Sequence, residues 1–415
     1  MIRKTFSSLI TLKGNPKYCV FTEPLWGVPH ALYAPFLTLY MFSLGLEDAE
    51  IGILLSVGLF MQMFWAFMSG IITDKFGRKW TTFVSDIVSW SIPVLIWAFA
   101  QNFYWFLIAA LFNSLWQISG TSWQCLLVED AKEEKLVELY NWIYIAGLLA
   151  VFFAPISGYF IGVFSLVPVM RVLLVLSAIS MTLKFIILYM YCTETQQGMV
   201  RMQQTKHTPW RVMILECKDV LVKIFKTPAT IRVLILITLL NIQQLISNNF
   251  FSLFITQDLL IPEEFLAFFP IIRAAIMLIF FMVFQHRLNK FPIHFVMLFG
   301  LILYILAHVL LLNTPIDTVL PIVVFTAMDA CAAALFLPRR DALFIKNVDP
   351  KERARIMGLL VVIMLGVSSP FGLITGVISG VDRRIPFMFN ILLFVLMAML
   401  VLFEKKTIKD KNQTV

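Results

Sequence analysis

The sequence predicts an all-α membrane protein of twelve transmembrane helices, arranged as two pseudo-symmetric six-helix bundles. Three observations predict it. First, the 415 residues are 60% hydrophobic and only 14% charged, with a mean hydropathy of +0.86; that is too little charge to cover a soluble protein of this length. Second, the apolar residues fall into repeated runs of about 20, the length at which an α-helix crosses the hydrocarbon core. Third, 28 of the 33 Lys and Arg residues fall in the two termini and in every second link between the runs, the asymmetry that marks the cytoplasmic side of a membrane protein.

Span one, near 18–44, follows Arg3, Lys4, Lys13 and Lys17; it is longer than the apolar core of a signal peptide and lacks a small-residue cleavage site. Spans two to six lie near 49–73, 81–101, 103–128, 139–163 and 168–192, with the boundary between three and four the shortest. Spans seven to twelve lie near 230–257, 264–285, 292–312, 318–338, 356–379 and 385–403. With both termini cytoplasmic, only Arg171, Arg383 and Arg384 lie at the outer side, and Lys184 and Arg273 fall within spans. The acidic run Glu129, Asp130, Glu133, Glu134 and Glu138 does not oppose this orientation, because acidic residues contribute little to it. The expected location is a plasma (inner) membrane, crossed many times.

The longest polar stretch divides the chain into an N-terminal bundle (1–192), a cytoplasmic linker (193–229) and a C-terminal bundle (230–415). From Trp210 to Lys226 the linker mixes apolar and basic residues, as does a helix lying on the inner membrane surface. The halves carry weak internal similarity. Pro35-Phe36-Leu37-Thr38-Leu39-Tyr40 lines up with Asn249-Phe250-Phe251-Ser252-Leu253-Phe254, and Ala154-Pro155 with Gly158 and Gly162 resembles Ser369-Pro370 with Gly372 and Gly376. Two six-span units related by duplication suit alternating access.

The most specific signal is Gly70-Ile71-Ile72-Thr73-Asp74-Lys75-Phe76-Gly77-Arg78-Lys79, in the second cytoplasmic link. Gly70 permits close helix packing, and Gly77 a tight turn. Asp74 is an anion at the membrane edge, suited to a helix N-terminus from the other half. Arg78 and Lys79 suit lipid headgroups and acidic partners. A purely topogenic loop explains Arg78 and Lys79 but not the Asp74 and glycine spacing. The motif and its position resemble the signature of the major facilitator superfamily. That resemblance implies the superfamily's fold, with Gly70, Asp74, Gly77, Arg78 and Lys79 as gating residues. Departures are informative: the second-half copy, His286-Arg287-Leu288-Asn289-Lys290, lacks the Asp and the glycines. Span four carries Asn113, Trp116 and Gln117 where many proton-coupled exporters have an arginine, and Ala154-Pro155-Ile156-Ser157-Gly158 is a degraded form of the antiporter motif. Antiport is not indicated.

Polar groups inside a membrane are costly and usually face a cavity. The resemblance implies a cavity lined by spans one, four, seven and ten. Candidates there are Glu23 and His30 (span one), Asn113, Gln117 and Gln124 (span four), Asn241, Gln244 and Asn248 (span seven) and Asp329 (span ten), with Arg273 of span eight as an ion-pair partner for Asp329. Amides also bridge helices by hydrogen bonding. Asp86 and Lys184 read as a pair or as snorkelling groups, and His308 as a packing residue. Glu23 leads as a proton-coupling group, then His30, then Asp329, since burial or hydration can move such groups through neutral pH.

The expected function is secondary active transport of a small solute by alternating access, with proton coupling open and a lean toward efflux of amphiphilic compounds. The alternatives are a sugar or other polar-solute permease and, of another class, a non-transporting membrane solute sensor. An enzyme is not expected: there is no phosphate-binding glycine loop, metal-ligand cluster or nucleophile–base pair. No cofactor or metal is expected. The partners are a small-molecule substrate, membrane lipids and, if coupled, protons. The net charge of +8 is topogenic, so nucleic acid is not a partner, and a monomer is expected. Cys19, Cys125, Cys192, Cys217 and Cys331 are scattered and read as packing residues.

Overall fold

The computed structural model describes residues 12–131, 133–213, 224–284, 288, 291–346 and 353–413. Cys217 and most of the amphipathic stretch at 210–226 lie outside them. Among the described residues, nine helices are long and apolar enough to cross a membrane. The other three expected spans are helical too, but each is broken or short. Span one comprises Asn15–Thr22, Pro24–Tyr33 and Leu37–Ser43, joined through a 3₁₀ turn at Ala34–Phe36. Its hydrogen-bond ladder is interrupted at Pro24 and Pro35, where proline supplies no N–H donor. Span four is Phe103–Asn113 followed by Trp116–Val128; span eight is Glu263–Ala267 followed by Phe268–Val283.

Span two, Asp48–Phe76, starts on a capping box between Glu47 and Glu50, which satisfies two donors that a helix start would leave open. Its end is set by Gly77, at φ 84° and ψ 164°. Span three contains a π-turn, Ile87–Ser91, between Arg78–Asp86 and Ile92–Phe99, and span seven ends on another, Phe254–Asp258. The helices of spans ten, eleven and twelve, Val319–Lys346, Arg353–Val381 and Ile385–Gln413, run past their expected cytoplasmic ends. Their Lys-, Arg- and Glu-rich ends are good helix formers, so helicity outlasts hydropathy there. A linker helix that the apolar pattern did not predict, Gln196–Thr205, is capped by the Thr195 hydroxyl, which accepts from Gly198 N.

The outer surface carries Phe60, Phe64, Tyr159, Phe164, Val172, Leu176 and Ile179 exposed. A belt of this size belongs in lipid. The largest core cluster crosses between the halves at the end of the bundle opposite the termini, here called the distal end. It joins Phe36, Leu39 and Tyr40 with Phe250, Leu253, Phe254 and Phe387.

Two backbone approaches reinforce that contact. A Cβ on Gly52 would lie 2.6 Å from the Gly372 carbonyl oxygen and 2.8 Å from Gly376 Cα. Only glycine admits spans two and eleven this close, and small residues four apart make such a seam. Leu373 N donates to Ser56 Oγ across it. On the other side, Gly158 of span five lies against the Glu264 carbonyl of span eight. The two stretches paired as internal repeats, around Gly158 and around Gly372 and Gly376, thus both lie at contacts between the two halves of the chain.

An ion network caps the seam. Asp48, 3% exposed, accepts from Arg383 Nε (3.0 Å) and Nη2 (3.1 Å) and from Ser379 Oγ (2.6 Å), while Arg383 Nη1 reaches Asp258 at 3.1 Å. The Arg383 guanidinium also stacks 5.1 Å over the Phe42 ring. Charge-assisted bonds of this kind are the strong ones.

Candidate functional site: a central cavity and a terminal-side charge cluster

Beneath the distal seal lies a cavity of about 1000 Å³ lined by both halves. Of the residues singled out in the sequence, His30, Asn113, Asn241, Gln244, Asn248, Arg273 and Asp329 line it. Three others do not. Gln117 turns to Gln62, its Nε2 donating at 3.4 Å to Gln62 Oε1, and Gln62 is the one in the lining. Gln124 is exposed outside the cavity.

Glu23 is engaged elsewhere: Lys184 Nζ donates to its Oε2 at 2.7 Å, with both side chains largely buried. This corrects two expectations. Lys184 pairs with Glu23, not with Asp86, and Glu23 does not line the cavity with His30. The stretch between them is helical, since Glu23 sits at φ -55° and ψ -40° and its carbonyl accepts from Gly27 N; a shared face does not put both in the cavity, because seven residues separate them by two turns along the axis. Lys184 also sits 5.6 Å over the Trp26 ring and 5.5 Å over the Trp123 ring.

The first-half wall is aromatic. Trp26 stacks on His30 at 4.9 Å and 13°; Trp90 meets both edge-on at 5.0 and 5.9 Å; and Tyr33 meets His30 at 5.4 Å. Trp90 belongs to the π-turn of span three, a local widening often found at functional sites. The second-half wall carries the amides of span seven and the Arg273–Asp329 ion pair, made through Arg273 Nη1 and Asp329 Oδ2. That pair was expected from the sequence. Trp26 Nε1, Tyr33 Oη and Asn241 Oδ1 are buried without a hydrogen-bond partner among the described residues. Buried polar groups normally find partners, so these three are exceptions in the packing around the cavity.

Sequence reasoning missed Gln62, Trp90, Trp97 and Phe269, all in the lining. Gln62 was detectable as a lone amide in an apolar span. The aromatic residues were not, because a tryptophan facing the cavity and one facing lipid look alike in a sequence.

The motif at 70–79 builds a second cluster at the terminal end. Arg78, 4% exposed, pairs with Asp74 at 3.1 Å and Glu129 at 3.0 Å. Asp74 also takes Arg201 of the linker helix at 2.7 Å. The Glu194 carboxylate accepts from the backbone N–H groups of Arg78 (2.8 Å) and Lys79 (3.0 Å), which answers the open donors and positive end of the span-three helix.

In this conformer Asp74 is held by the linker helix and Arg78. Arg78 takes acidic partners, as expected of it, rather than the lipid surface, and the Lys79 ammonium lies 4.9 Å over the Tyr189 ring. Gly70 is exposed, and a Cβ there would meet nothing within 4 Å, so it does not mediate close packing. Gly77 does need to be glycine: besides its positive φ, a Cβ would lie 2.7 Å from both Glu194 Oε2 and Met202 Sδ.

Comparisons with known proteins fit this architecture. The profile of the MFS_1 like family matches residues 30–408. The uncharacterised MFS-type transporter YqjV of Bacillus subtilis (strain 168) is 29% identical over 130 residues, which is 31% of this chain and 32% of that protein; the match thus spans about a third of the relative's length. Among solved structures, a mutant of the nucleoside transporter NupG superposes with a TM-score of 0.74 at 16% identity, covering 94% of this chain and 99% of the other. A POT family transporter in complex with 5-aminolevulinic acid gives 0.70 at 14% identity, covering 94% of each chain. At these identities the likeness is one of fold.

Proposed function

The chain belongs to the MFS_1 like family, and from that premise we propose that it is a secondary transporter that moves a small amphiphilic solute by alternating access. The observation that carries this reading is the cavity of about 1000 Å³ between the halves, roofed by contacts that cross from one half to the other. A site lined by both halves is exposed to one side or the other as the halves rock. In this reading the structure is the conformer closed at the distal end, which is the outer face if both termini are cytoplasmic. The protein works as a monomer in the plasma membrane and exports its solute.

A polar-solute permease is the second reading. It is favoured by the amides Asn113, Asn241, Gln244 and Asn248 on the cavity wall. Proton coupling, where present, falls first to His30, the ionisable group of the first-half wall, and then to Asp329. Glu23, already paired with Lys184, drops to third.

The test is an uptake and efflux screen in proteoliposomes, with and without a proton gradient, set against the Arg273→Gln, Asp329→Asn double variant. Solute movement that requires the cavity residues is expected. If no member of a broad panel of amphiphilic and polar solutes moves in either direction, the transport reading fails and the sensor alternative takes its place.

A further inference from the structure

We infer that the cavity recognises small organic monoanions built on a flat ring, with the anionic group on Arg273 and the ring against the Trp26–His30–Trp90 wall; this rests on the transporter reading above. The charge argument comes first. Among the described residues that line the cavity, Arg273 and Asp329 are the only Lys, Arg, Asp or Glu side chains, and both come from the second half. They are not equally presented: the Arg273 side chain is 42% exposed and that of Asp329 only 6%. A solute entering the cavity meets the guanidinium, with the carboxylate behind it. The pair is neutral as a unit, so the buried carboxylate offsets the cost of holding a cation in the membrane, yet the field at the cavity surface is cationic.

The guanidinium is also geometrically suited to an anion. It has five N–H donors in a planar fork, and its ion pair with Asp329 runs through Nη1. Tyr304 makes a further side-chain hydrogen bond with the guanidinium, and a carboxylate can add to the donors that these two partners leave, as carboxylates do on arginine. A cationic solute is repelled by the exposed guanidinium. A neutral one gains only ordinary hydrogen bonds.

The opposite wall selects the rest of the molecule. Trp26 and His30 stack nearly parallel, and Trp90 closes on both edge-on. A ring placed there gains aromatic contact. At about 1000 Å³ the cavity holds a ring with an acidic group and leaves space for substituents.

The test uses the full-length protein in lipid nanodiscs, titrated calorimetrically with benzoate, benzamide, benzylammonium and acetate. Benzoate is expected to bind at least about tenfold more tightly than benzamide, from the gain of hydrogen bonds to a charged group. Acetate should be weaker for want of the ring, and benzylammonium should not bind. In the Arg273→Gln, Asp329→Asn double variant, which leaves no orphan charge, benzoate should fall to the level of benzamide. Arg273→Lys, which keeps the charge and loses the fork, should lie between. If the double variant does not fold, the lysine variant decides: an undiminished preference for benzoate there overturns the forked recognition. The inference is also overturned if benzoate does not bind, if benzamide or benzylammonium binds as well, or if the double variant keeps the preference. Anion-selective binding without any solute movement in the proteoliposome screen would leave this site standing and remove the transport reading. Transport without anion preference would do the reverse.

Discussion

Asp48→Asn should release the distal seal. Asp48 holds three hydrogen bonds from the second half, two from Arg383 and one from Ser379. These exist only while spans two and eleven are closed on each other at that end. Asparagine keeps one acceptor oxygen and loses the charge, so at least one charge-assisted bond disappears, worth about 1.5–3 kcal/mol. Arg383 keeps Asp258 at 3.1 Å, and its side chain is 21% exposed, so the cost stays below the ~3–5 kcal/mol of a broken buried pair. About 2 kcal/mol is a reasonable figure, equivalent to about a 30-fold change in the ratio of closed to open conformers. Spin labels at Asn102 and Asn313, exposed positions in distal-end links of the two halves, report that ratio by double electron–electron resonance. The variant should show the ratio of longer-distance to shorter-distance populations raised about 30-fold over the parent. An unchanged distance distribution in a folded Asp48→Asn protein would refute the argument that these bonds hold the seal.

Gly77→Ala should lower stability by about 1–3 kcal/mol, because that backbone region is nearly exclusive to glycine and the added Cβ collides with Glu194 and Met202; thermal unfolding in detergent measures it, and an unchanged midpoint would show that the turn relaxes freely. Glu23→Gln should cost about 3 kcal/mol by orphaning Lys184, and Glu23→Gln with Lys184→Met should regain most of it. A single variant as stable as the parent, and altered only in the pH dependence of transport, would return Glu23 to the role of coupling group. A cysteine at Gln203, exposed on the linker helix, should resist an impermeant thiol reagent applied to intact cells expressing a cysteine-free background. Ready labelling there would reverse the orientation.

The sequence by itself determined the helical membrane architecture, because each span must bury its own backbone hydrogen bonds and present an apolar surface to lipid. Both requirements are local and can be read run by run. That is why the expected spans 49–73 and 292–312 fall so close to Asp48–Phe76 and Ile293–Leu312. The motif at 70–79 was legible for the same reason, since its turn is made within a few residues. The Arg273–Asp329 pair was legible because two opposite charges deep in apolar helices have few other ways to exist. Tertiary structure alone decided which partner each group takes. Nothing local distinguishes Asp86 from Glu23 as the mate of Lys184; the packing of span six against span one decides it. Nothing in Asp48, Asp258 and Arg383 marks them as a network, because their juxtaposition depends on how closely Gly52 lets span eleven approach. Hydropathy measures how much a residue dislikes water, whereas a cavity wall is defined by what stands opposite it. Trp90, Trp97 and Phe269 therefore became site residues only when the two halves were brought face to face.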